Sequence, residues 1–473
     1  MKKALGHDSM RWLQTLVALL MTVGILSVAW ELVALHTQRS FLSAFDELEA
    51  DVSSDDLLHL SYLQAACRAE NDTVLPVSYA APGIVGGSLQ PSAHFNTALF
   101  HERDPRLVDE LRQCRDVDIY MPSSARDSAG CAAGAGPLKF LQSRLLPDWA
   151  FDAVMYDITA NQSTTYFKLC PHTPMLFVSP EHVLKLTKHA AWPSTKPVYL
   201  IAPGIEAETP AEGLTRTVLE LTDVVLCQTS RCDQDVTRFV ERMGNGGSKK
   251  SRVLYVGQVS ADPANFARRI LGDEAVPEKN EKHFKDGRFA HTTYDIASRT
   301  TQDVINCWNT HVNYLPQLDV FLLKKDHDGK PGDGARLYKP SFSDAAFFVC
   351  PTAKDDCLPL ARASGGVIVT GDGYPMNELL SGSEGIFFPT SDSATLPDDS
   401  LLLPSPESTY RSADLCAAVI KAYTSTSVNT RLKYATQARR HFNEDAKLFM
   451  RRMLELRAFV HQEQPDQNLR SQN

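Results

Sequence analysis

The stretch that decides the fold is "DAAFFVCPTAKDDCLPLARASGGVIVTGDGYPMNELLSGSEGIFFP", residues 344–389. Three apolar runs, "AAFFVCP", "GVIVTG" and "GIFFP", are short, rich in β-branched and aromatic residues, and apolar on both faces. Strands buried on both faces of a parallel sheet have this composition. Between the first two, "LPLARAS" has helical spacing and ends at Gly365-Gly366, a turn that glycine closes without steric cost. Pro359 stands in the first turn of that helix, and Asp355 or Asp356 is placed to cap it. Residues 344–389 therefore read as strand, loop, helix, strand, loop, helix, strand, the repeating unit of a layered α/β domain.

The same pattern extends outward. Upstream lie "SRVLYVG", "RFAHTTY" and "LDVFLLK", with the helical "TTQDVINCW" among them. Further upstream a separate series runs through "DVDIYMP", "FDAVMYD", "TPMLFVS", "KPVYLIAP" and "DVVLCQTS". Two Rossmann-like domains are predicted, residues 75–250 and 251–430, and "GNGGSKK" is the linker candidate. Residues 431–473 carry a long amphipathic run with Ala435, Ala438, Phe442, Ala446, Phe449 and Met453 on one face. That face needs an apolar surface to lie on.

At the other end, residues 13–30 carry no charge and the apolar character resumes after Glu31, about the 20 residues that a bilayer crossing requires. Lys2, Lys3 and Arg11 precede this run against Asp8, so the positive-inside rule leaves residues 1–12 in the cytosol and sends the rest across. The expectation is a single-pass type II protein with a transmembrane signal anchor at residues 13–35, a stem at 36–74, and a lumenal head in the Golgi or endoplasmic reticulum. Cleavage as a signal peptide is the alternative, though no clean small-x-small site follows. The sequons "NDT" at Asn71 and "NQS" at Asn161 would be acceptors for glycosylation in such a compartment. Ten cysteines dispersed over 473 residues make no disulfide scaffold, but a lumen permits some pairs. "CQTSRC" and "CPTAKDDC" lack the histidines that a zinc site of such spacing would carry, so no metal is expected. A net charge of -9 argues against nucleic acid as a partner.

In this order, "ARASGGVIVT" and "PMNELL" resemble the C-terminal, nucleotide-sugar-binding domain of group-1 (glycosyltransferase family 4-like) enzymes of the GT-B fold. The resemblance covers roughly residues 250–460; the N-terminal half is similar in architecture alone. It implies two Rossmann-like domains facing a cleft, a UDP- or GDP-sugar as donor substrate with no permanently bound cofactor, and a glycan, protein or lipid acceptor. It also implies that the terminal helix crosses back to the first domain. Arg299, in "ASRTT", stands where the family places a phosphate-binding lysine, and Tyr294 falls on its other basic phosphate position. Gly371 and Asp372, with Asn377 and Glu378 of "PMNE", fall on the family's donor-binding turns. Aligned on "ARASGG", the family's two glutamates fall on Thr352 and Leu360, so both carboxylates are missing. Asp355 and Asp356 would replace the lost sugar-binding carboxylate, or only cap the helix. Glu206, in "PGIEAETP" after a strand, is the candidate acceptor-side base, and a surface carboxylate otherwise. His291 lies inside the strand "RFAHTTY", either packed or reaching the cleft.

Two functions remain open at this point. The first is a type II membrane glycosyltransferase of the secretory pathway. The second, motivated by Thr352 and Leu360, is a catalytically inactive pseudo-glycosyltransferase acting as a lumenal binding or scaffolding subunit.

Overall fold

A computed structural model describes residues 52–79, 99–202, 214–244, 251–272, 279–322, 344–352, 357–391 and 409–463. The anchor expected at residues 13–35 and the "GNGGSKK" linker from residue 245 onward lie outside these. Among the described residues no helix is long and apolar enough to cross a membrane.

Two sheets organise the chain. The first contains β1 (Leu75–Pro76), β2 (Asp118–Tyr120), β3 (Arg144–Leu146), β4 (Met175–Phe177), β5 (Val198–Ala202), β6 (Val224–Cys227) and β7 (Arg252–Tyr255), in the order β1-β3-β2-β4-β5-β6-β7. β1 runs antiparallel to β3, and the remaining pairs are parallel. The second contains β8 (Phe289–Thr293), β9 (Leu318–Leu322), β10 (Phe347–Cys350), β11 (Val367–Gly371) and β12 (Gly385–Phe388), in the order β9-β8-β10-β11-β12, parallel throughout. Every residue of β10 and β11 is buried, as their continuous apolar runs require. In each sheet the strand order reverses once, between β2 and β4 and between β8 and β10. Such a reversal opens a crevice at the strands' carboxyl ends, where ligands of doubly wound sheets bind.

Three elements differ from the sequence reading. The strand of "SRVLYVG" does not begin the second series: β7 pairs with β6 as the edge of the first sheet, Val225 opposite Val253. The run "FDAVMYD" supplies no sheet strand; Met155–Asp157 pairs with Gln162–Thr164 in a separate hairpin. Within the stretch assigned to a stem, helix α1 (Ser54–Ala69) is part of the head rather than a spacer. Its Leu57, Leu60, Leu63 and Cys67 are buried, and Cys67 is bonded to Cys131 in α2 (Ser128–Phe140). Ser53 and Asp56 close a capping box at its start.

The long terminal helix, α9 (Val428–Glu463), spans 36 residues and buries the predicted face, Ala435, Ala438, Phe442, Ala446, Phe449 and Met453 each being under 5% exposed. Its first half lies on α7 (Cys357–Ser364) and the second sheet, while its second half reaches the first. There Phe449 meets Phe140 edge to face, Arg252 stacks on Phe459, and Arg457 pairs with Asp116 at 2.8 Å. Gly136 permits this approach, since a Cβ there would stand 2.4 Å from Val259 and 3.2 Å from Phe449.

All ten cysteines are paired, as Cys67–Cys131, Cys114–Cys170, Cys227–Cys232, Cys307–Cys416 and Cys350–Cys357. Two of these bridges clamp strand-to-helix turns, after β6 and after β10.

Candidate functional site

At the reversal in the second sheet, β8 leads into α6 (Arg299–His311) through "TYDIAS". Hydrogen bonds fix this turn. Thr293 Oγ1 accepts from Asp295 N at 3.1 Å, Asp295 Oδ1 accepts from Ala297 N at 2.9 Å, and the Ser298 hydroxyl caps α6 by accepting from Thr301 N at 3.3 Å. His291 is fully buried beneath the turn, with Nδ1 2.8 Å from Val349 O and Nε2 3.2 Å from Thr301 Oγ1. A carbonyl only accepts, so Nδ1 carries the proton of the neutral ring. Burial lowers the imidazole's pKa, so the ring stays neutral as a packed histidine and does not reach the cleft.

Arg299, expected on the leaving phosphates, opens α6 with its side chain 79% exposed and its Nε 3.9 Å from Asp303 of the same helix. Tyr294 packs half-buried on the cluster that includes Phe348, Leu358 and Leu360. The two positions aligned with the family's carboxylates are buried. Leu360 is 5% exposed inside that apolar cluster, and Thr352 is 7% exposed. Asp355 and Asp356 lie outside the described residues, as does Glu206.

The turn after β11 carries Gly371, Asp372, Asn377 and Glu378 in the following contacts. Gly371 is set by strand packing, because a Cβ there would stand 2.7 Å from Thr390. The exposed Asp372 gives its backbone N–H to Phe388 O at 2.9 Å, and the exposed Asn377 gives its own to Gly373 O at 3.1 Å. Glu378 reaches the other sheet. Its Oε2 accepts from Ser230 N and Ser230 Oγ, both at 3.0 Å, and from Arg231 N at 3.3 Å. These are the first amides of α4 (Ser230–Gly244), whose unpaired N–H groups and dipole favour a carboxylate. Beside it Thr229 Oγ1 lies 2.8 Å from the Tyr374 hydroxyl, and the Arg231 guanidinium stacks on the Tyr374 ring. α4 follows β6 and Tyr374 follows β11, so the carboxyl ends of the two parallel sheets meet here.

Next to this junction a narrow crevice runs between Gln258–Ser260, the first turn of α7, and Phe442 and Asp445 of α9, with room for about one water molecule. Its cation is Arg362. This buried guanidinium bonds Asp445 at 2.7 Å and lies 3.6 Å from Glu384, which in turn meets His441 Nδ1 at 2.6 Å. Burial raises the Asp445 carboxyl's pKa, opposed by Arg362. Two carboxylates thus neutralise the one guanidinium before any anion arrives.

A second polar cluster stands at the carboxyl ends of β2, β3 and β4, the reversal point of the first sheet. Tyr120 donates its hydroxyl to Asp148 Oδ1 at 2.5 Å, Lys185 pairs with the same oxygen at 2.8 Å, and the His182 ring meets the Tyr120 ring edge to face. Burial, reinforced by Lys185, pushes the His182 imidazole down to about 4. Burial and Asp148 push the Tyr120 hydroxyl up, so it remains a proton donor. None of these four residues stands out in the sequence. The available cue was the place of Tyr120 at the end of one strand and of Asp148 just beyond another. Among the described residues no group of three or more acidic, histidine or cysteine side chains is arranged to hold a metal ion.

No protein-family description matches the chain, and no curated protein matches it. Solved structures do. A mutant of S. aureus TarM, in complex with fondaparinux, alpha-GlcNAc-glycerol and UDP, is similar at 10% identity and TM-score 0.37, over 65% of this chain and 62% of that one. The pneumococcal O-GlcNAc transferase GtfA, with UDP and GlcNAc, is similar at 11% identity and TM-score 0.37, over 62% of this chain and 59% of that one. Anabaena HepE, with UDP and glucose, is similar at 11% identity and TM-score 0.36, over 61% of this chain and 77% of that one. The chain spans less than two thirds of the length of TarM and of GtfA.

Proposed function

We propose that this chain is a glycosyltransferase of GT-B type that moves a sugar from a UDP- or GDP-linked donor to a hydroxyl of a glycan, protein or lipid. The observation that carries the reading is the meeting of two parallel sheets by their carboxyl ends at Thr229, Ser230, Tyr374 and Glu378. In sheets of this order, ligands bind at that edge. The acceptor oxygen forms a bond to the anomeric carbon as the carbon–oxygen bond to the diphosphate breaks. The acceptor's proton passes to a base, and the diphosphate leaves with the electron pair. On the donor side, Arg299 and the start of α7 are the groups in this chain to meet that charge, with Asp355 or Asp356 for the sugar hydroxyls. On the acceptor side Glu206 is the candidate base, and Asp148, held by Tyr120 and Lys185 at the strand ends, is a second. We assign residues 13–35 as a type II anchor and the Golgi or endoplasmic reticulum as the compartment; five disulfides and two sequons agree with an oxidising lumen.

A specific set of observations favours a second reading, a non-catalytic lumenal subunit of the same fold. Leu360 occupies the core, Glu378 is engaged in the junction, and Arg362 is already neutralised. A thermal-shift titration with UDP, GDP and their sugar conjugates, run beside a donor-hydrolysis assay, separates the two. A ligand at a hundredfold excess over its Kd stabilises by about 2.7 kcal/mol, a readily measured shift. A shift with turnover supports the transferase, and a shift without turnover under any acceptor supports the binding subunit. No shift with any nucleotide, from a protein that melts cooperatively, overturns the transferase and leaves the lumenal scaffold as the better account; turnover overturns the scaffold.

A further inference from the structure

The hairpin of Met155–Asp157 and Gln162–Thr164 stands outside both main sheets, with Tyr156 opposite Ser163 and Asp157 opposite Gln162. One side of it is anchored. Met155 and Thr164 are buried, and the Asp157 carboxylate takes Arg112 at 2.5 Å and the Ala160 N–H at 3.0 Å. Val154, Tyr156 and Ile158, by contrast, are 72%, 56% and 85% exposed. Tyr156 is on the outward side of its strand, with Val154 just before the strand and Ile158 at the start of the turn, so three exposed apolar side chains fall within five residues. Asn161 ends the turn at φ 50°, a left-handed conformation that asparagine tolerates. It opens the sequon Asn161-Gln162-Ser163. The Tyr156 hydroxyl donates to Asn161 Oδ1, which holds the amide beside the aromatic ring. Nδ2 is the atom that a glycan joins.

We propose that Asn161 carries an N-linked glycan whose first hexosamine rings lie over Tyr156 and cover it together with Val154 and Ile158. The occupant follows from the chemistry at hand. A pyranose ring offers C–H faces to an aromatic ring, whose face is electron-rich, while its hydroxyl edges stay in water. Tethered at Asn161, it is already beside that ring. In the covalent step Nδ2 forms a bond to C1 of a lipid-diphosphate-linked oligosaccharide, the C1–O bond to the diphosphate breaks, and the nitrogen loses one proton. The lipid diphosphate takes the bonding pair. The second sequon has no such support: Thr73 is buried with its hydroxyl bonded to Glu70 O at 3.0 Å, and among the described residues none of the exposed large apolar side chains lies near Asn71 in sequence. The proposal rests on the lumenal compartment inferred above.

The test is expression of the full chain in eukaryotic cells, release of glycans by peptide N-glycosidase in heavy-oxygen water, and peptide mapping with the cysteines alkylated before reduction. The expected result is heavy aspartate at position 161 and loss of one glycan step in mobility in Ser163→Ala, which keeps Asn161 and its contact with Tyr156. Label at Asn71 or intact disulfides, with Asn161 unlabelled, overturns the glycan proposal while the compartment stands. No label at either site and ten free thiols overturn the compartment and this proposal together. For the covering role, the gap in Tm between glycosylated and enzymatically deglycosylated protein is compared with that of Tyr156→Ala. The gap is expected to be lost in the variant, and an unchanged gap overturns that role.

Discussion

Replacing Glu378 tells a junction group from a ligand group. Its Oε2 accepts from Ser230 N and Oγ at 3.0 Å and from Arg231 N at 3.3 Å, while Thr229 Oγ1 accepts from Cys232 N at 3.2 Å, so two side chains from different sheets share the capping of α4. Loss of a capping side chain costs about 0.5–2 kcal/mol. A charge at an exposed helix start contributes about 0.3–1 kcal/mol of this kind of stabilisation. Glu378 is exposed and Thr229 keeps its own bond, which places Glu378→Ala in the lower half of the range, about 1 kcal/mol. Glu378→Gln keeps an acceptor oxygen and loses the charge alone, about 0.5 kcal/mol. Urea midpoints of the ligand-free variants measure both, and the expected ranking is wild type above Gln above Ala with equal m-values. The reasoning is refuted if both variants keep the wild-type midpoint while the nucleotide-induced thermal shift disappears, because Glu378 would then act on the ligand that the sequence resemblance assigns to it.

Further outcomes follow from the same geometry. Leu360→Glu, which restores a carboxylate at the family position, is expected to lower Tm sharply or leave the protein insoluble, since an unpaired charge would enter the apolar cluster of Leu358, Ala361 and Met376; a normal melting curve would show that position 360 faces the cleft. The folded-state pKa values of His291 and His182 are lowered, so the unfolded chain binds more protons below its value of 6.5, and stability falls as pH drops from there toward about 4. Denaturant midpoints at pH 7.5, 6 and 5 check this, with His182→Phe flattening the profile. Removing Cys307–Cys416, which closes 109 residues, is expected to cost about 4–5 kcal/mol, and removing Cys227–Cys232, which closes 5, about 2 kcal/mol; equal losses in thermal denaturation would refute the loop-entropy account.

The parallel strands of the second sheet were legible because a strand buried on both faces has little choice but a continuous apolar run, as in "AAFFVC" and "GVIVTG". The face of α9 was legible because six apolar residues repeat at helical spacing. What escaped depended on partners distant in the chain. "RVLY" is equally apolar at either sheet, and only its register with β6 settles where it belongs. β3 is three residues long and begins with Arg144, a charge that no strand pattern admits; it is buried because Asp118 bonds it at 2.8 Å. The role of Glu378 depends on Ser230, 148 residues away. Asp148, Tyr120 and His182 converge from three separate strand ends, and nothing local marks them.

The pattern of the bridges has a consequence for how the protein is made. Three of them join cysteines between residues 67 and 232, and two join cysteines between 307 and 416, so no disulfide spans the interval from 233 to 306. As the head enters an oxidising lumen in the order of its synthesis, all six cysteines of the first three bonds emerge before Cys307. Mispairing between halves is thereby limited by the timing of synthesis. Among the described residues the two sheets are joined instead by noncovalent contacts, those of α9, those of Glu378 and the apolar cluster of Leu57, Ala363, Phe442 and Ala446.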